Sequence, residues 1–410
     1  MEKILIAHTL DICSVLIVTW HKVFDCSSCF LFITCFCNVR CIQHKKVQVG
    51  SVKKKRNRTS ACVAPDQWSA SRKSISCSLL KWYRKTARDL PWRRSSDPYR
   101  VWVSEIMLQQ TQVERVKDYF HRFVVKFPTV FDLAKADEVV VLKYWEGLGY
   151  YRRARQLHAA AKLIVSEHKG LFPQDARALR QLPGVGRYTA GAIASISFDL
   201  PEPILEANSR RVLARLTRYD RPLSGNKSDQ PLWDVAVAIV PHGGGAGAFN
   251  QALMDLGSIV CLPVNPRCDV CPLADYCEAY QFGSVDRIPN VPSRKSAKKF
   301  NEKAYVLLHK GKVLVVRRQP GEWWEGLWDF PRVIPDRMTV RSHQRRLGVI
   351  DYSVTNHKVT CQILSKMTLK RPAVRRHQRW LSPQEIKKLP MTSPGRKIAR
   401  LAEKYFSGEG

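Results

Sequence analysis

The sequence has few acidic residues for its size. Its 410 residues include 35 Asp and Glu against 68 Lys and Arg, and the formal net charge is +33. Such an imbalance points to a polyanionic partner. The chain also lacks a long, basic amphipathic helix, so the sequence favours a nucleic acid over a membrane surface. Because phosphate contacts dominate binding of this kind, we expect it to be sensitive to salt.

A clear membrane-spanning or signal segment is also absent from the sequence. The uncharged run Cys26–Val39 is too short to cross a bilayer, and the N-terminal segment lacks the basic start and the cleavage site of a signal peptide. The cysteines do not form a secreted disulfide framework, since eight of the 13 lie in residues 1–77 and four lie in residues 261–277. We therefore expect an intracellular protein without a membrane partner, cytoplasmic or nucleoid-associated, or nuclear or mitochondrial if the source is eukaryotic.

One cysteine cluster has the spacing expected of a metal site. Its members follow the pattern C-x6-C-x2-C-x5-C and are Cys261, Cys268, Cys271 and Cys277. Four thiolates in so short a span can hold a [4Fe–4S] cluster or a tetrahedral zinc, and the spacing alone leaves this choice open. The cysteines near the N-terminus fit no zinc pattern. We interpret residues 1–78 as a poorly ordered extension, in which the basic run Lys53–Arg58 is a solvated linker or a non-specific DNA contact.

A turn and a carboxylate lie close together in the middle of the chain. Leu182–Gly186 is too rich in turn-forming residues to be helical, and Arg187–Ser197 then predicts a helix. We expect the turn to present backbone amides to a phosphate, those of Gly184, Val185 and Gly186. A plain corner between two helices is the alternative. Glu206 follows about 20 residues later, just before a basic helix, so the segment suggests an enzyme that holds a nucleic-acid backbone and acts on one sugar.

These residues resemble the helix-hairpin-helix DNA glycosylase superfamily, and about Leu79 to Leu401 resembles its adenine DNA glycosylase branch, the MutY family. The resemblance implies a multidomain protein. An all-α helix-hairpin-helix glycosylase domain would occupy residues 79–281, with an iron–sulfur loop at residues 261–277. A linker at residues 282–299 and a smaller α+β Nudix-like domain for lesion recognition at residues 300–410 would follow. The resemblance also implies a [4Fe–4S] cofactor and a monomer that binds double-stranded DNA containing adenine mispairs.

Two carboxylates carry the expected chemistry. Glu105 is the only acid in an apolar helical segment, and burial would raise its pKa, as a general acid near neutral pH requires. It lies in SEIMLQQTQ, a match of high specificity to the family, and the resemblance makes it the acid that protonates adenine on its imidazole ring. Glu206 aligns with the family's catalytic aspartate, which stabilises an oxocarbenium-like sugar. The family reads Asp-Gly-Asn where this chain reads Glu-Ala-Asn, so the carboxylate arm is one methylene longer.

Two further residues are expected to assist the carboxylates. Asn208 keeps its match to the family and is expected to orient the carboxylate and a water molecule. Tyr188 occupies the position at which glycosylase/lyases of the endonuclease-III type carry a lysine that forms a Schiff base. Because tyrosine cannot form one, the sequence predicts a monofunctional glycosylase that leaves an abasic site.

The resemblance also assigns residues to the extruded base and to the base stack. Five residues are expected to line the adenine pocket: Arg88, Leu90, Trp92, Arg93 and Gln251. Gln110 is expected to wedge into the base stack, and Tyr150 to insert beside the oxidised guanine. Three arginines that follow this tyrosine suit stacking and phosphate contact, namely Arg152, Arg153 and Arg155.

The C-terminal segment is expected to sense the lesion rather than to hydrolyse nucleotides. The sensing loop of the family reads Phe-Ser-His, and here Asn356 and His357 take its last two positions after a threonine. The Glu-rich helix that binds metal in true Nudix hydrolases is missing, because Met338–Leu347 is basic.

The sequence therefore predicts an adenine DNA glycosylase of base excision repair. It would act on adenine opposite 8-oxoguanine or guanine, by monofunctional hydrolysis of the N-glycosidic bond. Two alternatives stay open. One is an endonuclease-III-like glycosylase/lyase acting on oxidised pyrimidines, and the other is an iron–sulfur DNA-binding protein whose catalysis was impaired by the change to Glu206.

Overall fold

The computed structural model describes residues 65–223, 228–292, 296–335, 338, 340, 344–369 and 374–406. Residues 1–64 of the predicted N-terminal extension therefore lie outside the described residues. The described part belongs to one compact unit, Arg58–Gly410, in which a helical domain precedes a smaller domain built on a sheet. Among the described helices, none combines the length and the apolar character that a membrane crossing requires.

The helical domain contains helices α1 to α12. Their bounds are Pro65–Thr86 (α1), Pro98–Leu108 (α2), Val113–Lys126 (α3), Val130–Lys135 (α4), Glu138–Trp145 (α5), Arg152–His168 (α6), Ala176–Leu179 (α7), Arg187–Phe198 (α8), Ala207–Leu216 (α9), Gln230–Ile239 (α10), Ala246–Ile259 (α11) and Glu278–Gln281 (α12). The helix that the sequence predicts over Arg187–Ser197 is α8. The prediction that Leu182–Gly186 forms a turn rather than a helix is confirmed.

Helix α1 begins well before the boundary that the sequence predicts at residue 79. It starts at Pro65, so the first 14 residues of the helix were wrongly assigned to the N-terminal extension. Trp68, Ile75 and Leu79 lie on one face of this helix and are buried, with at most 5% of each residue exposed. This face packs against α10. The earlier half of α1 is otherwise polar, which is why its sequence does not reveal the helix.

The helical domain has two hydrophobic cores. Helices α2 to α8 surround the first core, and α1 with α9 to α12 surrounds the second. Helix α8 packs against α2 of the first group and against α11 of the second. Helix α11 approaches α9 very closely, because a Cβ atom on Gly257 would lie 2.6 Å from the Cβ atom of Asn208. Only glycine allows two helices to pack at this distance.

The C-terminal domain is a mixed sheet with two helices. Its elements are Lys298–His309 (β1), Lys312–Arg317 (β2), Trp328–Asp329 (β3), Arg345–Val354 (β4), His357–Met367 (β5), Gln378–Leu381 (β6), Pro383–Lys388 (α13) and Ser393–Phe406 (α14). The strand order is β3-β2-β1-β5-β4, with β6 on β2. Among the described strands, β1 and β5 form the one parallel pair, and the other strand pairs are antiparallel. Strands β1 and β2 are joined by a turn at Lys310-Gly311, and Leu308 pairs with Val313.

Candidate active site

Both predicted carboxylates line one cavity of about 1150 Å³ in the helical domain. The cavity lies between α2 and α8 on one side and α9 and α11 on the other. It also brings together most of the site residues that the sequence predicts: Arg88, Leu90, Trp92, Arg93, Glu105, Gln110, Gly184, Gly186, Tyr188, Glu206, Asn208 and Gln251. Of the residues predicted to contact DNA or the lesion, four do not line it: Tyr150, Val185, Asn356 and His357. The four clustered cysteines lie outside it as well.

Glu105 is a buried carboxylate in the apolar helix α2, with only 4% of the residue exposed. Burial raises the pKa of Glu105 to about 7, and the nearby Glu206 carboxylate acts in the same direction. A hydrogen bond from the Tyr188 hydroxyl and the positive charge of Arg93 act against this rise. The carboxyl group therefore holds a proton near neutral pH and faces the cavity, as a general acid must.

Glu206 caps helix α9 with its own side chain. Its Oε2 and Oε1 atoms accept hydrogen bonds of 2.7 Å from the backbone amides of Asn208 and Ser209. The Glu206 amide donates to Ser209 Oγ at 2.8 Å, which completes a capping box. The Ser209 hydroxyl donates to the Glu206 carbonyl at 3.2 Å. Burial raises the pKa of Glu206, while the two backbone amides favour its ionised form. The longer arm of glutamate is thus folded back onto the helix terminus.

Asn208 contributes its backbone amide to Glu206 rather than its side chain. The side-chain oxygen of Asn208 accepts a hydrogen bond of 2.9 Å from Arg211. Arg211 in turn donates to the Cys261 carbonyl at 2.7 Å. The predicted role of the Asn208 side chain in orienting the carboxylate therefore has no direct contact in this structure, and the side chain instead connects α9 to the four-cysteine loop.

Asp255 is a site residue that the sequence analysis missed. Its side chain is fully buried and forms ion pairs with two predicted pocket residues, Arg88 and Arg93. Arg93 Nη1 and Nη2 reach the two carboxylate oxygens at 2.7 and 2.9 Å, which is a bidentate pair. Burial works to raise the pKa of Asp255, but the two arginines hold it below its ordinary value. A lone acid in the apolar helix α11 is the same signal that singled out Glu105.

The cavity wall at Gln251 is fixed by a tyrosine of helix α1. The Tyr83 hydroxyl donates a hydrogen bond of 2.7 Å to Gln251 Oε1. This bond fixes the orientation of the Gln251 side-chain amide, and the amide nitrogen can donate to a base. Arg93 also lies over the Tyr83 ring, 5.8 Å from its centroid.

Gln110 and Tyr150 lie in two turns that one buried arginine holds together. Both residues have left-handed backbone conformations, with φ of 57° and 49°. Arg153 Nη1 donates to the carbonyls of Ile106, Met107 and Gln109 at 2.6–3.0 Å. Its Nη2 donates to the Gly149 carbonyl at 3.2 Å. The expectation that Arg153 contacts phosphate is therefore wrong, because its guanidinium caps the C-terminus of α2 inside the protein.

The turn before α8 leaves backbone amides free at a helix N-terminus. Gly184 adopts φ of +78°, and a Cβ atom there would lie 2.7 Å from the Cβ atom of Gln156, so only glycine suits this position. Gly186 is the N-cap of α8 and offers no side-chain cap, and space around it is open. Val185 is buried, with 6% of the residue exposed, and its amide donates to the Leu182 carbonyl at 3.1 Å. The prediction that Val185 offers its amide to a phosphate is therefore wrong, and Gly184 and Gly186 are the predicted residues whose amides can face a ligand. The arrangement suits a phosphate.

The four clustered cysteines face one small cavity that also contains Arg215. Arg215 is buried, with 2% exposed, and its Nη1 lies 3.4 Å from Cys261 Sγ. No set of three or more His, Cys, Asp or Glu side chains in the described residues is arranged to hold one metal ion. The four thiols around one cavity supply the four sulfur donors that a [4Fe–4S] cluster requires. The buried Arg215 guanidinium beside Cys261 would offset the negative charge of such a cluster.

Comparison with known proteins agrees with both the helical site and the cysteine loop. Residues 103–235 match the HhH-GPD superfamily of base excision DNA repair proteins, and residues 261–277 match the iron-sulfur binding domain of endonuclease III. The adenine DNA glycosylase of Mus musculus is 33% identical, over 81% of this chain and 78% of its own length. The chain belongs to the adenine DNA glycosylase family.

Another member of the family, the adenine DNA glycosylase of Buchnera aphidicola (Acyrthosiphon pisum), is 37% identical to this glycosylase over 62% of the chain and 73% of its own length. Among solved structures, a thermostable thymine-DNA glycosylase has 31% identity and a TM-score of 0.47, and the match covers 52% of this chain and 98% of that one. The cysteine loop of the glycosylase is thus an iron–sulfur motif, with Cys261, Cys268, Cys271 and Cys277 as the ligands that would hold a [4Fe–4S] cluster.

The C-terminal domain of the glycosylase matches the NUDIX domain over residues 303–401. The two predicted sensing residues lie at the turn between β4 and β5, with His357 as the first residue of β5. The ring of His357 lies 5.1 Å from that of Trp323, and Asn356 is exposed. Part of the basic segment Met338–Leu347 lies outside the described residues.

Proposed function

We propose that this glycosylase removes adenine from DNA in which adenine is paired with 8-oxoguanine or guanine, and leaves an abasic site. The observation that supports this most strongly is the shared cavity of Glu105 and Glu206, with the Tyr188 hydroxyl bonded to the first of them. Glycoside cleavage needs one protonated and one ionised carboxyl group beside the same bond. Burial favours the protonated form of Glu105. Burial also raises the pKa of Glu206, but the backbone amides of Asn208 and Ser209 oppose this rise and favour the ionised form that the second role requires.

DNA binding comes first in the proposed sequence of events. The free amides before α8 would hold one phosphate, and the loop of four cysteines would place basic residues on the backbone. When bound, the [4Fe–4S] cluster cross-links that loop. Gln110 would wedge into the stack that the adenine leaves, and Tyr150 would insert beside the base opposite adenine. Extrusion of the adenine costs a few kcal/mol.

The extruded adenine would enter the cavity and be held by a fixed wall. Arg88 and Arg93 are locked on Asp255, and the Gln251 amide is oriented by Tyr83. Groups that are fixed before the base arrives lose little entropy when they bind it. Glu105 would then transfer its proton to the imidazole ring of the base, which makes adenine a better leaving group.

The bond between the sugar and the base would break with the positive charge developing on the sugar. Glu206 would stabilise that charge from the opposite side, and water would add to C1′ of the sugar. One proton of the water returns to the carboxyl system, so the neutral base and the abasic sugar are the products. Tyr188 takes the position of the lysine that forms a Schiff base in glycosylase/lyases. Because the phenol hydroxyl of tyrosine cannot form one, the reaction would end at the abasic site.

One assay tests the proposal against its alternatives. Duplex oligonucleotides carry adenine opposite 8-oxoguanine, adenine opposite guanine, or an oxidised pyrimidine. The proposal expects release of adenine and strand breakage only after alkali treatment of the first two. Strand breakage without alkali on the third duplex would support an endonuclease-III-like lyase. Binding of the mispairs with no base release would instead support an impaired DNA-binding protein.

A further inference from the structure

The side chain of Glu146 joins the two domains immediately before the Tyr150 turn. It follows the last residue of α5 and forms a bidentate ion pair with Arg396 of α14, at 2.6 and 3.0 Å. Only 16% of the Glu146 side chain and 19% of the Arg396 side chain are exposed. The Met391 amide also donates to Glu146, at 3.3 Å. A single carboxylate of the helical domain thus accepts two different groups of the C-terminal domain.

The C-terminal side of this contact is fixed to the sheet. The Trp328 amide donates to the Pro390 carbonyl, and the Thr392 amide donates to the Trp328 carbonyl, both at 3.0 Å. Arg396 also donates to the Leu389 carbonyl at 2.7 Å. The segment that contacts Glu146 is therefore hydrogen-bonded to strand β3.

The helical side is fixed to the turn that presents Tyr150. The Gly147 amide donates to the Tyr151 hydroxyl at 3.0 Å, and Trp145 Nε1 donates to the Gly149 carbonyl at 3.1 Å. These bonds make residues 145–151 one small hydrogen-bonded unit. Tyr150 projects from it with 58% of the residue exposed, in the left-handed conformation. The position of Tyr150 therefore depends on this unit and on Arg153, whose guanidinium lies 5.7 Å from the centroid of the Tyr150 ring.

The Glu146–Arg396 ion pair is largely shielded from water. We therefore expect its loss to alter the turn that presents Tyr150. Burial works to raise the pKa of Glu146, but Arg396 and Lys143 hold it below its ordinary value. Neutralising the carboxylate would leave Arg396 partly buried without its partner. The link would then loosen even though both domains keep their own cores.

We infer that Glu146 and Arg396 are positioning residues through which the C-terminal domain sets the position of Tyr150 and thereby the preference for the base opposite adenine. The inference rests on the proposed function, which places Tyr150 beside that base. It assigns to the domain contact a specificity role that is separate from any contact the C-terminal domain makes with the lesion itself.

The test compares Glu146→Gln and Arg396→Gln with the control Arg400→Gln, which removes the same positive charge as Arg396→Gln but from an exposed position of α14. The readout is the ratio of single-turnover excision rates for adenine opposite 8-oxoguanine and opposite guanine. We expect Glu146→Gln and Arg396→Gln each to lower this ratio by about twofold to thirtyfold, the range for residues that couple two sites. The control should leave it unchanged. Thermal melting of each variant reports whether the fold is retained.

A second background separates positioning from a general structural effect. Once Tyr150→Ala is present, Glu146→Gln should have no further effect on the ratio, because its route through the tyrosine is gone. An unchanged ratio in the folded single variants would overturn the inference, and so would an equal decrease in the Tyr150→Ala background. The ratio of binding affinities for duplexes with a non-cleavable adenosine analogue is measured in parallel. A wild-type chain that binds both duplexes without excision would contradict the proposed function and still allow this second ratio to decide the inference.

Discussion

Replacing Glu105 with glutamine removes the acidic proton but keeps the size and shape of the side chain. Glutamine has the same size and keeps an oxygen that can accept the hydrogen bond from Tyr188, but it cannot transfer a proton. At the pKa of about 7, roughly half of the Glu105 carboxyl groups hold a proton at pH 7. At the ordinary value of 4.5 only about 0.3% would do so, so burial enriches the acid form about 150-fold. Loss of a general acid lowers rates by about 100-fold to 10,000-fold.

The same substitution has a predictable effect on stability. The pKa of Glu105 is higher in the folded state, so between pH 4.5 and 7 the unfolded chain ionises first and wild-type stability falls as the pH rises. Above pH 7 the full penalty is present, and a shift of this size corresponds to about 3 kcal/mol. Glutamine does not pay it. We therefore expect Glu105→Gln to melt at a higher temperature than wild type at pH 8, with a smaller difference at pH 5.

The assay combines single-turnover excision from a duplex with adenine opposite 8-oxoguanine and thermal melting at the two pH values. Glu114→Gln is the matched control, because the Glu114 side chain is 81% exposed and should alter neither quantity. Affinity for the duplex should be retained by both variants. A Glu105→Gln protein that keeps the wild-type rate would refute the role of the acid. An equal change of melting temperature at both pH values would refute the reasoning on its burial.

Three further changes test other parts of the site. Tyr188→Phe removes a hydrogen bond that lowers the pKa of Glu105, so the fall of the excision rate at alkaline pH should move to higher pH; a rate profile from pH 6 to 9 that moves down or stays in place would contradict this. Arg153→Met leaves the carbonyl groups at the end of α2 without their donor and should destabilise the protein by about 3 kcal/mol or more, measured by denaturant unfolding, while exposed Arg152→Met should change stability by less than about 0.5 kcal/mol. Cys271→Ser should reduce the iron content and the visible absorption and weaken DNA binding; full iron content in the variant would exclude this thiol as a ligand.

The sequence alone identified Glu105 through a local signal. A single acid in an apolar helix must be buried, because every face of that helix contacts the core. The same signal marks Asp255 in α11, which the sequence analysis passed over because the family resemblance did not draw attention to it. The four-cysteine spacing is equally local, and it predicted a metal site before any fold was known. The start of α1 was predicted wrongly because the first half of this helix has only two large apolar residues, Trp68 and Ile75.

Which buried polar groups meet was decided only by the tertiary structure. Glu105 and Glu206 lie far apart in the chain, and they share a cavity because α8 packs on both α2 and α11. Arg153 reads in sequence as one of three basic residues after two tyrosines, yet it points inward to helix carbonyls. Helical periodicity determines which side of an element is buried, but not which element covers it. The partners of a buried charge are therefore set by the packing of distant helices, and no local pattern encodes them.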